Sequence, residues 1–271
     1  MRPLRLLVVG RLLFVGIASA ALLAGSALVG SAIVGSARAA EEHIALDHQK
    51  WSFDSLFGTF DQAAAQRGFQ VYTEVCANCH SLNQMYYRNL SGIGLSPEQI
   101  KSIAAGFEVP LGLNEAGEPI SGPAMPSSRF RNPFPNEKVA RAVNNGALPP
   151  DLSLIINARE GGPDYTYSLL VGYADPPPGI KMQAGMNYNK YFPGHQIAMR
   201  PPLAAGQVDY ADDTPNTLEQ QSRDVVTFLA WAANPEMVER KKMGVRIVLF
   251  LVLMTGITYA VKRQIWAGVD H

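Results

Sequence analysis

A chain of 271 residues has room for one large domain or two small ones with a sizeable core, but its 24 glycines and 19 prolines commit much of it to turns and loops. Its formal net charge of zero conceals a segregation: residues 41–239 hold 22 Asp and Glu against 13 Lys and Arg, a balance of −9, and the remaining cations sit at the two ends. No basic patch offers itself to nucleic acid, and a middle region this acidic is expected to attract a basic partner.

The N-terminus carries Arg2, Arg5 and Arg11, then a long apolar stretch that closes with Ala37-Arg38-Ala39. Small residues at both outer positions of that triplet fit a signal-peptidase site. Residues 1–39 therefore read as a signal segment cleaved after Ala39, which places the rest outside the cytoplasm.

Asp61 can cap a helix whose apolar stripe runs through Ala63, Phe69, Tyr72, Val75 and Cys76. That helix leads into Cys76-Ala77-Asn78-Cys79-His80, which contains the only two cysteines of the chain. Cys-x-x-Cys-His is the attachment motif of c-type haem. The chemistry explains the spacing. Two thiols one helical turn apart lie on one face, so each can add to one vinyl group of the same porphyrin, and the histidine that follows can reach the iron from that side. A thioredoxin-like redox pair needs no histidine and belongs in a βαβ pattern, which is not apparent here. A structural zinc site needs four ligands, and there is no second cysteine pair. A plain disulfide leaves His80 unexplained.

An electron-transfer haem has both axial positions filled, and a methionine opposite histidine raises the potential. Met125, in Gly122-Pro123-Ala124-Met125-Pro126, and Met199, in a proline-rich loop from Gly194 to Leu203, are both candidates that spacing cannot separate. Met85 is too close to His80 to cross to the other face. His195 is a third candidate, through bis-histidine ligation.

Residues 92–135 are rich in Gly, Pro and Ser, show little helical periodicity, and read as a long irregular insertion that wraps the domain or contacts other subunits. A last domain helix runs from Thr214-Pro215 or Thr217 to Ala233. Leu218, Val225, Leu229 and Ala232 form its core face, and Thr217-x-x-Gln220 is a capping-box pattern. Asn234-Pro235-Glu236 then reads as a new helix start. Ile247 to Val261 is free of charge, and adding Met243 to Arg246 gives a span of membrane length if Arg246 snorkels to the interface. Arg240, Lys241 and Lys242 before the span and Lys262 and Arg263 after it leave its orientation ambiguous by charge alone. The cleaved signal and the haem motif put the domain outside and the C-terminus in the cytoplasm. The fold class is accordingly mainly α: a cytochrome-c-like haem domain over residues 40–233 with long irregular insertions, and a transmembrane anchor with a short tail over 234–271.

Several stretches carry a more specific likeness. Arg67-Gly68-Phe69-Gln70-Val71-Tyr72 leads into the haem motif, and Asn144-Asn145-Gly146-Ala147-Leu148-Pro149-Pro150-Asp151-Leu152 follows about seventy residues later. Then come Asn157-Ala158-Arg159, Asp164-Tyr165, Gly172-Tyr173, Tyr191-Phe192-Pro193-Gly194 and the segment from Asp224 to Trp231. Together, and in this order, they closely resemble the bacterial type of cytochrome c1, the haem c subunit of the cytochrome bc1 complex (ubiquinol–cytochrome c oxidoreductase). The resemblance implies a haem c bound through Cys76 and Cys79, with His80 and Met199 as iron ligands, which demotes Met125. It implies that Arg159 and Tyr165 lie near a haem propionate, that Asn144 lies beside the haem, and that Pro149-Pro150 forms part of a wall excluding water. Tyr72 is either a further haem contact or a core ring. The implied partners are cytochrome b and a Rieske iron–sulfur protein in a dimeric complex of the bacterial inner membrane, with a soluble or tethered cytochrome c as acceptor in the periplasm.

The chain departs from the family in two ways. Arg200 follows the implied ligand where relatives often have a small residue. The extra disulfide of some bacterial relatives cannot form here, because both cysteines are committed. Quinol oxidation belongs to other subunits, so no acid–base catalytic residues are expected. Two other readings remain: a haem enzyme or gas sensor with an open axial position, and a free-standing membrane cytochrome donating to an oxidase or reductase.

Overall fold

A computed structural model describes residues 44–268; the signal segment expected over 1–39 lies outside them. Asp61 caps α1 (Gln62–Glu74), its carboxylate accepting from the Ala64 amide at 3.1 Å. The buried stripe differs from the expected one. Ala63 is exposed, and Ala64, Ala65, Gly68, Phe69, Val71 and Tyr72 face the core. The helix also stops at Glu74, so Cys76–Asn78 forms a separate 3₁₀ turn.

The segment expected to be irregular contains regular structure. After a 3₁₀ stretch at Tyr87–Ile93, α2 (Pro97–Ala105) opens with a reciprocal cap: Gln99 N–H donates to Ser96 Oγ, and Ser96 N–H donates to Gln99 Oε1. Ser96-Pro97-Glu98-Gln99 is a full helix-start signature, and the short apolar pattern behind it concealed the helix. An antiparallel hairpin follows, β1 (Glu108–Leu113) with β2 (Pro119–Pro123), its register broken by a bulge between Pro110 and Gly112. The short helices α3 (Glu137–Val143) and α4 (Ile155–Ala158) lead to α5 (Gly162–Val171). Two-residue strands β3 (Asn187–Tyr188) and β4 (Gln196–Ile197) pair antiparallel after it.

Thr217 caps α6 (Leu218–Ala233), its hydroxyl accepting from the Gln220 amide at 3.2 Å. The second half of the expected capping box is missing, because the Gln220 amide turns to Asp224 Oδ1 instead. Val225, Leu229 and Ala232 are buried as expected, with Leu218 at the margin.

The core is organised where α1 crosses α6. A Cβ on Gly68 would stand 2.0 Å from the Asp224 carbonyl oxygen and 2.8 Å from Phe228 Cβ, so only glycine permits this approach. Phe228 packs its ring 5.6 Å from that of Phe69 and 5.7 Å from that of Tyr72. Beside the crossing, the fully buried Asp224 carboxylate accepts from Arg67 Nε at 2.8 Å, from Arg67 Nη2 at 3.1 Å and from Gln220 at 3.0 Å. A buried charge needs this saturation, since water is not there to supply it. α4 and α5 pack on α6 as well.

Asn234 does not start the next helix. It closes α6, donating to Asn157 Oδ1 at 3.0 Å, and α7 (Met237–Ile265) begins three residues later. Its 29 residues make it about 44 Å long at 1.5 Å per residue. No residue of α7 is buried, so it is not a core helix of this domain; it is long and apolar enough to cross a membrane.

Gly68→Ala is expected to cost about 3 kcal/mol or more, because overpacking here meets backbone rather than a mobile side chain. Chemical denaturation of the solubilised chain, followed by far-UV circular dichroism, measures it. An unchanged midpoint would mean that the helices are not in this contact.

Candidate functional site

The Cys-x-x-Cys-His motif sits where α1 runs out. Cys79 N–H donates to the Cys76 carbonyl at 3.1 Å and His80 N–H donates to the same oxygen at 2.9 Å, which folds the five residues into one tight turn. Asn78 reaches back with its side-chain amide to the carbonyls of Glu74 at 2.9 Å and Val75 at 3.2 Å. These carbonyls lie where α1 ends, so the second variable residue of the motif caps the helix from its C-terminal side. The sequence offered no distinct signal for that role.

Neither cysteine is in a disulfide. Burial, with Cys79 nearby, pushes the Cys76 thiol up to about 12. A redox-active Cys-x-x-Cys needs a lowered thiol pKa, so the environment is unlike that of a disulfide oxidoreductase. Among the described residues, no three His, Cys, Asp or Glu side chains converge as a metal cluster.

His80 Nδ1 lies 2.8 Å from the carbonyl oxygen of Pro150. A carbonyl only accepts, so Nδ1 carries the proton and Nε2 is left with its lone pair. Burial pushes the imidazole below its ordinary pKa, against the opposing pull of the Pro150 bond and the Asp151 charge. The ring is therefore a neutral imidazole with one nitrogen oriented and the other available. Pro150 itself is exposed, and what it contributes to His80 is its carbonyl. Tyr72 is buried in the core with its ring against Phe130 and Phe228, and its hydroxyl donates to the His80 carbonyl at 3.3 Å.

Asp151 fixes the Pro150 carbonyl in place. It accepts from Ser81 Oγ at 2.8 Å, from the Asn83 amide at 2.7 Å and from the Ser153 amide at 2.9 Å. Leu152 N–H donates to the Ser81 carbonyl at 2.9 Å, so the segment after the motif is zipped to the one carrying Pro150. Burial alone would raise the Asp151 carboxyl; the bonds from Ser153, Asn83 and Ser81 outweigh it and hold the group below the usual carboxylate range. The sequence reading gave Asp151 no role of its own, although Asp directly after two prolines is a turn signal.

Met199 is half-buried. Its carbonyl accepts from the Tyr173 hydroxyl at 3.0 Å and from the Asn187 amide at 3.3 Å. Tyr173 follows α5, Asn187 lies on β3, and the bridge between Tyr173 and Asn189 joins them. Buried Asn189 donates to the Leu169 carbonyl at 2.8 Å, which ties the loop to α5. Met125 is 58 % exposed on a turn. Met85 is in the core, and Arg200 points to solvent. His195 adopts a left-handed backbone (φ 57°), with Nδ1 3.2 Å from the Asn189 carbonyl oxygen.

Arg159, exposed at the end of α4, and half-buried Tyr165 on α5 are neighbours. Burial raises the Tyr165 phenol and the Arg159 charge pulls it back. Asn144 uses its amide to close α3, donating to the Ala140 carbonyl at 2.8 Å. Tyr72, Cys76, Cys79, His80 and Pro150 are joined around the motif turn, Arg159 and Tyr165 are neighbours, and Met199 is held by Tyr173, itself close to Tyr165, while the Asn144 amide closes α3.

The donor set fits haem c: two unpaired thiols a turn apart, an imidazole with Nε2 unprotonated, and a half-buried thioether on an anchored loop. Residues 51–269 match the model of the Cytochrome C1 family. A protein named cytochrome c1 from Rhodospirillum rubrum is 44 % identical over 250 residues, which are 86 % of this chain and 92 % of that one. The mitochondrial cytochrome c1 haem protein of Saccharomyces cerevisiae is 46 % identical over 232 residues, 85 % of this chain and 75 % of its own. A cytochrome b/c1 of Bradyrhizobium diazoefficiens is 41 % identical over 273 residues, 93 % of this chain but 39 % of that longer protein. With a family match that begins at Trp51 and takes in the haem motif, the Met199 loop and the apolar helix, the chain belongs to the cytochrome c1 family.

Proposed function

We propose that this chain is the haem c electron-transfer subunit of a cytochrome bc1 complex, taking one electron from a Rieske iron–sulfur protein and passing it to a cytochrome c. The observation that carries the reading is the His80–Pro150 bond in the turn that bears Cys76 and Cys79, which leaves a neutral imidazole with Nε2 free to ligate iron. The name cytochrome b/c1 borne by the Bradyrhizobium relative supports cytochrome b as a partner.

The haem supplies a one-electron ferric/ferrous couple. Cys76 and Cys79 would hold it by thioether bonds, and His80 would ligate it through Nε2. Met199 would supply a thioether ligand, whose soft sulfur would favour the ferrous state. Arg159 would pair its guanidinium with a propionate and Tyr165 would donate a hydrogen bond to one. Asn144 would sit beside the haem, and Pro149-Pro150 would form part of a wall that excludes water. Tyr72, Asp151, Tyr173 and Asn187 restrain the ligand-bearing backbone, so that little rearranges when the charge changes. The domain, residues 40–233, lies in the periplasm after removal of residues 1–39; α7 anchors it in the inner membrane with the C-terminus in the cytoplasm, within a dimeric complex.

The first test is to pull this chain from mildly solubilised membranes by a C-terminal tag and read the spectra of what accompanies it. Two b-type haems and an iron–sulfur subunit, with antimycin-sensitive quinol oxidation, are expected. A single c-type haem alone, under conditions that keep assembled complexes intact, would favour the free-standing membrane cytochrome.

Met199→Leu is expected to abolish the far-red sulfur–iron band of the oxidised protein, lower its midpoint potential and admit carbon monoxide to the reduced form. Met125→Leu should change none of these, and the reverse pattern would reassign the ligand. The acidic balance of residues 41–239 predicts steering of a basic cytochrome c. Stopped-flow transfer rates should fall roughly tenfold or more from low to physiological salt; a flat salt dependence would remove the electrostatic part of the reading.

A further inference from the structure

Two carboxylates of the domain are each held by several donors, and they differ in what offsets their charge. Asp224 is paired with the Arg67 guanidinium. Asp151 meets neutral donors: the Ser81 hydroxyl at 2.8 Å, the Asn83 amide at 2.7 Å and the Ser153 amide at 2.9 Å. Among the described residues no lysine, arginine or histidine forms an ion pair with it. Arg129 donates to the Asn83 carbonyl instead. Ser153 is fully buried and is itself fixed, its hydroxyl accepting from the Gln84 amide at 2.9 Å. Hydrogen bonds of this kind keep a carboxylate ionised without cancelling its charge. The charge is felt in the haem turn. Burial lowers the His80 imidazole and the Asp151 charge opposes it; burial pushes the Tyr72 phenol up and the Asp151 charge adds to it.

An unpaired anion near an iron ligand has a definite electrostatic consequence. Oxidised iron carries one more positive charge than reduced iron, so a fixed negative charge stabilises the oxidised state. Asp151 is a positioning residue, since its bonds go to Ser81 and Asn83 after the motif and to Ser153 beyond Pro150, and not to the His80 ring. The carbonyl that accepts from His80 Nδ1 belongs to the residue directly before it. We propose that Asp151 tunes the haem potential downward, as a fixed negative charge that opposes the rise supplied by a methionine ligand. The proposal deepens the haem c reading and rests on it. A relay must release its electron as readily as it takes one, and a thioether ligand alone favours retention. Ligand identity then sets the coarse potential and one unpaired carboxylate trims it. Neutral donors are what this role requires, because a cation in their place would cancel the field.

The test uses the full chain with its haem, purified in detergent. Two quantities are read on each variant: the midpoint potential by spectroelectrochemical titration, and the melting temperature by circular dichroism. Asp151→Asn and Asp151→Ser both remove the charge. Each should favour the reduced haem roughly tenfold at a fixed ambient potential, an upward shift of about 59 mV for one electron. Asp151→Ser carries the measurement if the new asparagine amide clashes with the Asn83 N–H and prevents folding. Asp151→Glu keeps the charge and should hold the potential near that of the wild type, although its longer side chain lowers the melting temperature. Ser81→Ala removes one bond and leaves the charge, so it should destabilise the chain without raising the potential. Unchanged potentials in the neutral variants overturn the proposal. So does an upward shift as large in Asp151→Glu and Ser81→Ala as in the neutral variants, because the role would then be structural. A wild-type chain that carries no covalently bound haem on a denaturing gel would instead overturn the haem c reading, and the proposal with it.

Discussion

The crossing of α1 and α6 at Gly68 is the constraint from which the rest of the domain follows. With no side chain at Gly68, the Asp224 carbonyl comes closer than any Cβ would tolerate, and the two helices lock in one register. The Arg67–Asp224 pair beside it fixes the rotation of α1. A buried pair of this kind adds little net stability over an apolar substitute, so its worth here is registration. α1 ends in the turn that carries Cys76, Cys79 and His80. α6 supports α4 and α5, from which the Met199 loop hangs. One contact thereby sets the frame in which thiols, imidazole and thioether are placed.

Within that frame the restraints on the ligand-bearing segments fall on backbone carbonyls. Pro150 orients the His80 ring, Tyr72 holds the His80 backbone, and Tyr173 and Asn187 hold the backbone of Met199. Carbonyls have no rotamers, so these restraints carry little freedom of their own. A redox centre benefits from this, because a protein that moves little between oxidation states adds little to the barrier for transfer. The same economy appears at the membrane end, where Lys241 grips two carbonyls of the turn at 53–55 and Asn234 closes α6 before α7 begins.

Where reading the sequence succeeded and failed has a physical pattern. The Asp61 and Thr217 caps, the haem motif and the apolar span are local signals, each contained within a turn or a single helix, and each was readable. The helix at Pro97–Ala105 was missed because glycine and proline around it masked a capping signature that was present. Ala63 was assigned to the core and is exposed, because helical periodicity defines a stripe but the angle at which α6 meets α1 decides where the stripe lies. Asn234 carried the features of a helix start and serves as a helix end, since either use satisfies an Asn and only its contact with Asn157 chooses between them.

The sequence alone determined that this protein has a paired-thiol and histidine motif at haem spacing, an acidic middle and an apolar helix of membrane length, because covalent spacing and hydrophobic run length are properties of the chain itself. Only the tertiary structure decided which nitrogen of His80 is free, that Met125 faces solvent while Met199 is anchored, and that Asp151 positions the carbonyl His80 uses. Each of these depends on groups brought together from segments tens of residues apart, and such meetings are set by packing that no local pattern encodes.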